Sequence, residues 1–328
     1  MKAIVVDKYG VDDAMQLKDI PEPIPARDEV LITVKNAGVN PNETYVLTGT
    51  YAFYTPPLPF TPGFDGAGVV DAVGDDVTDF KPGDRVYVAG FMAKSNSGTY
   101  AEKAAVSVDG VQHLPDNVSF AQGAALGIPA TAAYRAIHIR GEVKEGETVL
   151  IHGASGGVGL LALQMAKAAG ARVIGTASSE EGRELIKEYG ADHAMEHLSA
   201  DNRDQLLELT GGKGPDVIIE FLANVNLATD MEVIAKYGRI VVVGNRGSIE
   251  VNPRLLMGKD SDIRGLGVPN YTPEEYQAAL NRINLILAEG KLIPVVGQSF
   301  RLEDAREAHR VIMDQKTRGK LVFDLGQS

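Results

Sequence analysis

The sequence predicts an α/β protein with a doubly wound parallel sheet beside a second, β-rich domain, and three observations carry that prediction. At 328 residues the chain is long enough for two ordinary cores. Up to about residue 124 it reads as short β-type runs broken by Gly and Pro, among them Val30–Val34, Gly68–Val70 and Arg85–Val88, with Lys81-Pro82-Gly83-Asp84 as a turn. From 125 to 265 continuous apolar runs alternate with helical patterns, as in a parallel sheet covered on both faces.

The apolar runs are Thr148–Ile151, Arg172–Gly175, Val217–Ile219 and Ile240–Val243. Between the first two, Val158, Leu161, Ala162, Met165 and Ala169 form a 3.6-period stripe that Gly170 ends. The tail from 266 to 328 holds two helical segments, 273–289 and 302–314, and a final strand at Lys320–Phe323. The expected organisation is 1–124, 125–265, and a tail that returns to the first domain.

Composition narrows the function. Hydrophobic residues make up 44% and charged residues 23%, as in a soluble globular protein. No apolar run approaches membrane-spanning length, and the N-terminus shows no secretory pattern, so a cytoplasmic location is expected. The absence of cysteine excludes disulfides, thiolate nucleophiles and sulfur-built zinc sites. A net charge of −12 argues against nucleic acid as a main partner.

The most informative stretch is His152-Gly153-Ala154-Ser155-Gly156-Gly157-Val158-Gly159. It follows an apolar strand and opens an amphipathic helix, the context of a dinucleotide-binding turn. There glycines let the backbone approach a diphosphate, and helix-start N–H groups face the anion. The next strand ends in Ala177-Ser178-Ser179, where NAD-preferring enzymes usually place a carboxylate. The missing carboxylate removes a repulsion against a 2′-phosphate, so NADPH is the expected cofactor. Ser178, Arg183 and His197 are candidate contacts. The serines can also simply cap the following helix.

His193-Ala194-Met195-Glu196-His197 matches a zinc-binding pattern that works on a helix. Its position after Gly190 is that of a strand, where the two histidines would stand about 13 Å apart, too far to hold one ion. No metal site is expected.

The chain resembles the zeta-crystallin-type NADPH:quinone oxidoreductases, in the zinc-independent branch of the medium-chain dehydrogenase/reductase superfamily. The resemblance spans nearly the whole chain. It rests on Ala37–Tyr45, Pro62–Val70, the glycine turn, Leu222–Asn226 and Val243–Gly247. Zinc-dependent relatives carry Gly-His-Glu where this chain has Gly63-Phe64-Asp65. The resemblance implies a Rossmann-type sheet domain and a GroES-like β-rich catalytic domain. It also implies cofactor contacts at Tyr45, Ser155, Gly156, Gly157, Val158, Ser178, His197 and Asn226. Further contacts are implied at Val243, Gly244, Asn245, Arg246, Leu266, Gly267 and Val268. Thr131 and Asn40 match positions on the nicotinamide side, and Lys320 matches a tail lysine near the phosphates. Phe64 departs from the small polar residue of many relatives.

Without zinc, a simple ketone has no Lewis acid to hold its alkoxide. Quinones and conjugated enones delocalise the charge that hydride delivers, so they are the expected substrates. Tyr45 and Tyr51 are the candidates for hydrogen bonding that developing charge, or else for walling the pocket. An enone or enoyl-thioester reductase is the second reading, and an NADPH-binding, RNA-binding protein without turnover the third. The resemblance also implies a homodimer or homotetramer, with Val241–Val243 and Arg264–Val268 supplying a sheet edge.

Overall fold

The structure, a computed structural model, describes residues 1–10, 14–89, 97–197, 199, 201–313 and 317–326. The chain divides into two units, Met1–Thr131 with Pro273–Ser328, and Ala132–Thr272.

The first unit opens with β1 (Lys2–Val6), β2 (Met15–Asp19), β3 (Glu29–Gly38), helix α1 (Pro41–Leu47), β4 (Asp65–Val73), β5 (Arg85–Ala89), β6 (Lys103–Ser107), β7 (Val111–His113) and α2 (Phe120–Gly123). The unit boundary falls inside α3 (Gly127–Tyr134). In the second unit follow β8 (Thr148–Ile151), α4 (Gly157–Ala168), β9 (Arg172–Ala177), α5 (Glu180–Glu188), β10 (His193–Glu196) and α6 (Asn202–Leu209). It ends with β11 (Val217–Glu220), α7 (Ala223–Val233), β12 (Arg239–Val242), α8 (Arg254–Met257) and β13 (Asp262–Gly265). The tail adds α9 (Pro273–Ala288), β14 (Val296–Arg301), α10 (Ala305–Met313) and β15 (Lys320–Asp324) to the first unit.

In the first unit the sheet order is β14-β15-β3-β4-β5-β7, with β6 also on β3. The β-branched run Val30, Ile32 and Val34 points into the core with Val6, Val70, Val88 and Phe323. The tail is therefore part of this domain: β15 pairs antiparallel with β3, Val322 opposite Gly38. Gly38 is required there by space. A Cβ would lie 2.2 Å from the Ala124 carbonyl oxygen and 2.8 Å from Lys320 Cε.

The second unit is a six-stranded, all-parallel sheet ordered β10-β9-β8-β11-β12-β13. Val149, Ile151, Val173 and Ile218 are fully buried, which is why these runs show no polar alternation. α4 buries Leu160, Leu161, Ala162, Leu163, Met165 and Ala166.

Two boundaries differ from the sequence expectation by seven residues each. Ile128 stays in the first unit because its N–H donates to Asp65 Oδ1 at 2.7 Å. Leu266–Thr272 stays in the second, where Leu266 N–H extends β12's ladder and the Arg135 guanidinium lies 4.4 Å from the Tyr271 ring centre. Residue 314, the end of the expected tail helix, lies outside the described residues. His193–Glu196 is a strand paired parallel with β9, as its position after a helix stop predicts.

Candidate active site

The glycine turn links β8 to α4 in the second unit. Gly153 adopts φ 53°, and the turn is pinned to the next strand: Gly153 N–H donates to Thr176 Oγ1 at 3.1 Å, and Ala154 N–H to the Thr176 carbonyl at 2.8 Å. Gly159 lets the helix close on the turn, since a Cβ there would sit 2.6 Å from the Gly153 carbonyl oxygen and 2.7 Å from Ala154 Cα. Gly156 is the helix N-cap and offers no side chain to the first-turn N–H groups of Gly157, Val158 and Gly159. Those donors, at the positive end of a 12-residue helix, could hold an anion. Ser155, 8% exposed, lies within the turn.

At the end of β9 the two serines divide their work. Ser179 Oγ caps α5 by accepting from Gly182 N–H at 3.1 Å, while Ser178 is exposed. Ala177 is buried, so no carboxylate stands at this position. Arg183, in the first turns of α5, pairs with Glu180 through one terminal nitrogen. Its other, Nη1, is buried and has no partner among the described residues. His197 bonds Thr176 Oγ1 through Nδ1 at 3.0 Å. Burial, aided by the nearby His152 charge, drives its pKa down to about 4, so it is a neutral polar group.

Of the remaining expected cofactor residues of this unit, Asn226 lies in the first turns of α7 after β11, and the others lie on the segments after β12 and β13. Asn226 is buried, with Nδ2 donating to Glu220 Oε1 at 3.2 Å. Val243 N–H donates to the Glu220 carbonyl at 2.8 Å, and Arg246 N–H to Asn224 Oδ1 at 2.9 Å. Asn245 Nδ2 donates to the Gly247 carbonyl at 2.6 Å. Gly244 has its Cα against the Phe221 backbone, with room for no Cβ. Leu266, Gly267 and Val268 follow β13 and enter a 3₁₀ turn. These loops all leave the carboxyl ends of parallel strands, where ligands of such sheets bind.

The first unit contributes a buried polar network that the sequence reading did not anticipate. Asn40 caps α1, its N–H donating to Glu43 Oε2 at 2.8 Å. Its amide is fully committed: Nδ2 donates to Asp65 Oδ2 at 2.8 Å, and Oδ1 accepts from Lys320 Nζ. Lys320 Nζ also donates to Asp65 Oδ2 at 2.9 Å. The structure thus places Lys320, 3% exposed, in this interior pair, a different setting from the phosphate approach expected of it. Glu43 further accepts from Phe64 N–H at 2.9 Å and from Tyr100 Oη, which lies 3.1 Å from His309 Nε2. Burial, then the Asp65 charge, pushes Glu43 up to about 7. Thr131 Oγ1 donates back to the Gly127 carbonyl at 2.9 Å.

Next to this network stands an aromatic group. The Tyr45 and Tyr51 rings stack with centres 6.4 Å apart, Tyr51 meets Phe53 edge-on, and Tyr54 meets Phe64 edge-on at 6.1 Å. Burial raises the Tyr51 pKa, so its hydroxyl stays a donor at neutral pH. Glu43, Tyr100 and His309 escaped sequence reading because they are scattered through the chain. The available signal was the isolated acid in the Asn40–Tyr45 segment.

Comparison with known proteins agrees with this geometry. The alcohol dehydrogenase GroES-like domain family matches residues 26–116, and the zinc-binding dehydrogenase family matches 157–284. Human quinone oxidoreductase is 44% identical over 98% of this chain and 97% of its own length. The crystal structure of Escherichia coli quinone oxidoreductase complexed with NADPH superimposes with a TM-score of 0.89 at 30% identity, covering 99% of this chain and 100% of that one. An NAD-dependent alcohol dehydrogenase structure superimposes with a TM-score of 0.90 at 30% identity, covering 99% and 100%. With Phe64 and a lysine-paired Asp65 where zinc-dependent relatives carry His and Glu, the chain belongs to the zinc-independent quinone oxidoreductases of the medium-chain dehydrogenase/reductase superfamily.

Proposed function

We propose that the protein reduces quinones or related conjugated carbonyl compounds with NADPH, by hydride transfer without zinc. The observation that carries this reading is Asp65: its carboxylate is spent on Lys320, Asn40 and Ile128 N–H, and its neighbour Phe64 is no ligand. A site of this kind suits acceptors that stabilise their own negative charge.

The residues fit NADPH on two counts. The glycine turn is open at Gly153 and Gly156, where a Cβ would meet nothing closer than 3.5 Å, and Arg183 Nη1 is a buried donor with no partner among the described residues. When bound, NADPH supplies the hydride. The Gly157, Val158 and Gly159 N–H groups would hold the diphosphate, and Ser178 and Arg183 would hold the 2′-phosphate. Ser155, Gly156, His197, Asn226, Val243–Arg246, Leu266–Val268, Thr131 and Tyr45 remain assigned to the cofactor side, while Lys320 is assigned to holding Asn40 and Asp65. Tyr51, and Tyr45 beside it, donate hydrogen bonds to the substrate oxygen as it gains charge. Asn40 acts in catalysis by fixing α1, which carries Tyr45.

Supporting the small-molecule reading, the net charge of −12 disfavours nucleic acid. Among the described residues no helix is long and apolar enough to cross a membrane, and we assign the protein to the cytoplasm. We assign a homodimer or homotetramer, formed through β13: it is an edge strand, whereas β12, which holds Val241 and Val242, lies one strand inside. The experiment is a direct titration with NADPH and NADH, followed by NADPH oxidation with quinones, simple ketones and crotonyl-type thioesters. Tighter NADPH binding and turnover of quinones alone support the reading. Faster turnover of the thioesters transfers it to enoyl reduction, and equal or tighter NADH binding refutes the cofactor assignment.

A further inference from the structure

His152, Glu220 and Asp230 form a buried cluster that the hydride-transfer chemistry does not use. His152 directly follows β8 and precedes Gly153, Glu220 ends β11, and Asp230 belongs to α7. β8 and β11 are the neighbours at which the sheet order reverses, so the cluster lies at the crevice of this fold. His152 Nε2 is 2.8 Å from Asp230 Oδ1 and 3.5 Å from Glu220 Oε2. Glu220 is fully buried and Asp230 is 1% exposed.

The arrangement is short of protons. Glu220 Oε2 and Asp230 Oδ2 are buried and have no hydrogen-bond partner among the described residues. Ionised carboxylates only accept, and one oxygen of each acid and a ring nitrogen of His152 all lie within 4.8 Å of one another, so the two buried acids repel unless one proton is added. A single proton on the pair relieves that repulsion.

We propose that Glu220 and Asp230 share one proton beneath the glycine turn, with His152 as the cation that balances the remaining charge, and that NADPH affinity depends on that proton. Burial and the Asp230 charge raise Glu220 to about 7, against the His152 charge. Burial opposes the charge on His152, but Asp230 and Glu220 outweigh it and hold His152 up at about 9. His197, with its ring centre 5.8 Å from that of His152, is neutral, and Asn226 and Thr176 are the polar neighbours.

Glu220 is the junction of the loops assigned to the cofactor. Its Oε1 accepts from Leu222 N–H and Asn226 Nδ2, and its carbonyl accepts from Val243 and Gly244 N–H. His152 adjoins Gly153 directly. Loss of the shared proton therefore sets two repelling carboxylates at the point where these loops meet, and adds negative charge near the diphosphate seat. The direction follows: affinity is highest below neutrality and falls as pH rises through the pair's titration, with a limiting slope of about tenfold per pH unit for one proton.

The inference rests on the NADPH reading, and the experiment separates the two. NADPH dissociation constants are measured by fluorescence from pH 7 to 9, above the titration of the cofactor's own 2′-phosphate, for the wild type and for Glu220→Gln. Gln keeps the acceptor for Leu222 and Asn226 and donates permanently to Asp230. We expect the wild-type constant to rise by about tenfold or more over this range and the variant's to stay flat. Infrared difference spectra of the protein without cofactor, available whether or not the variant folds, are expected to show a protonated carboxyl that disappears on raising the pH. A flat wild-type profile, an unchanged slope in Glu220→Gln, or no protonated carboxyl overturns the proposal. So does stoichiometric retention of added Zn²⁺ or Mn²⁺ that Asp230→Asn abolishes, which would make the cluster a cation site. Absence of NADPH binding at every pH refutes the cofactor reading instead, and the infrared result then decides the shared proton alone.

Discussion

Lys320 Nζ and Asp65 Oδ2 lie 2.9 Å apart in the interior of the first unit, joining the last strand to the start of β4. Asn40 touches both, so three short segments far apart in sequence are fastened at one point. In zinc-dependent relatives this region holds a metal ligand; here an internal cation takes up the acid's charge. An ion pair of this kind is poor evidence for stability in itself, because desolvation offsets much of the attraction. Removing one partner is another matter.

Lys320→Met strands the Asp65 carboxylate away from water with Asn40 and Ile128 N–H as its remaining partners. The expected loss is about 3–5 kcal/mol in urea denaturation. Adding Asp65→Asn keeps the acceptor for Ile128 N–H and removes the stranded charge, so the double variant is expected to regain part of that loss. Strictly additive losses would show that the two side chains are not coupled.

Arg183→Ala tests the 2′-phosphate seat. Arg183 has one nitrogen on Glu180 and one buried nitrogen with no partner among the described residues, so its loss is expected to weaken NADPH by about 1.5–3 kcal/mol, roughly 10- to 150-fold. NADH, which lacks the phosphate, is expected to bind as before. Parallel weakening of both cofactors would mean that the residue only supports α5.

Tyr51→Phe and Tyr45→Phe separate donation from packing. The rings stack, so Phe keeps the aromatic wall and removes only the hydroxyl. A donor role predicts a fall in quinone kcat of about 10-fold or more in one variant, with the NADPH dissociation constant unchanged. Unchanged kcat in both variants would leave the tyrosines a packing role.

The parts of this molecule that sequence made legible are those where backbone geometry dictates residue type. Gly159 closes on Ala154 and admits no Cβ, so the turn announces itself; the buried strands of the second unit announce themselves by unbroken apolar runs. Ser178 and Ser179 are ambiguous in sequence because either can cap a helix, and it is the hydrogen bond from Gly182 N–H that makes Ser179 the cap. The polar interiors were not legible. Glu43 meets Tyr100 across 57 residues and Tyr100 meets His309 across 209, and nothing local distinguishes these from surface polar residues. The commitment of Lys320 to Asp65, likewise, depends on β15 pairing with β3, a long-range event.

His309 gives the stability of the first unit a defined acid limb. It is 5% exposed, with Nε2 at 3.1 Å from Tyr100 Oη and Nδ1 at 3.4 Å from Thr44 Oγ1, and burial depresses its pKa to about 4. In the unfolded chain the imidazole titrates near the ordinary value of about 6.5. Between those values the unfolded state binds a proton that the folded state refuses, so the contribution of His309 to stability falls as pH drops from about 6.5 to 4, while Glu43, held up at about 7, contributes in the opposite direction. The stake is roughly 3 kcal/mol for a complete titration. His309→Asn, which cannot charge, is expected to be less stable than the wild type at pH 7.5 because it loses the ring's packing. Its decline between pH 6.5 and 4 is expected to be shallower by one proton's worth of slope. Urea midpoints across that range measure both effects, and an identical pH slope in the variant would show that His309 is protonated in the folded protein.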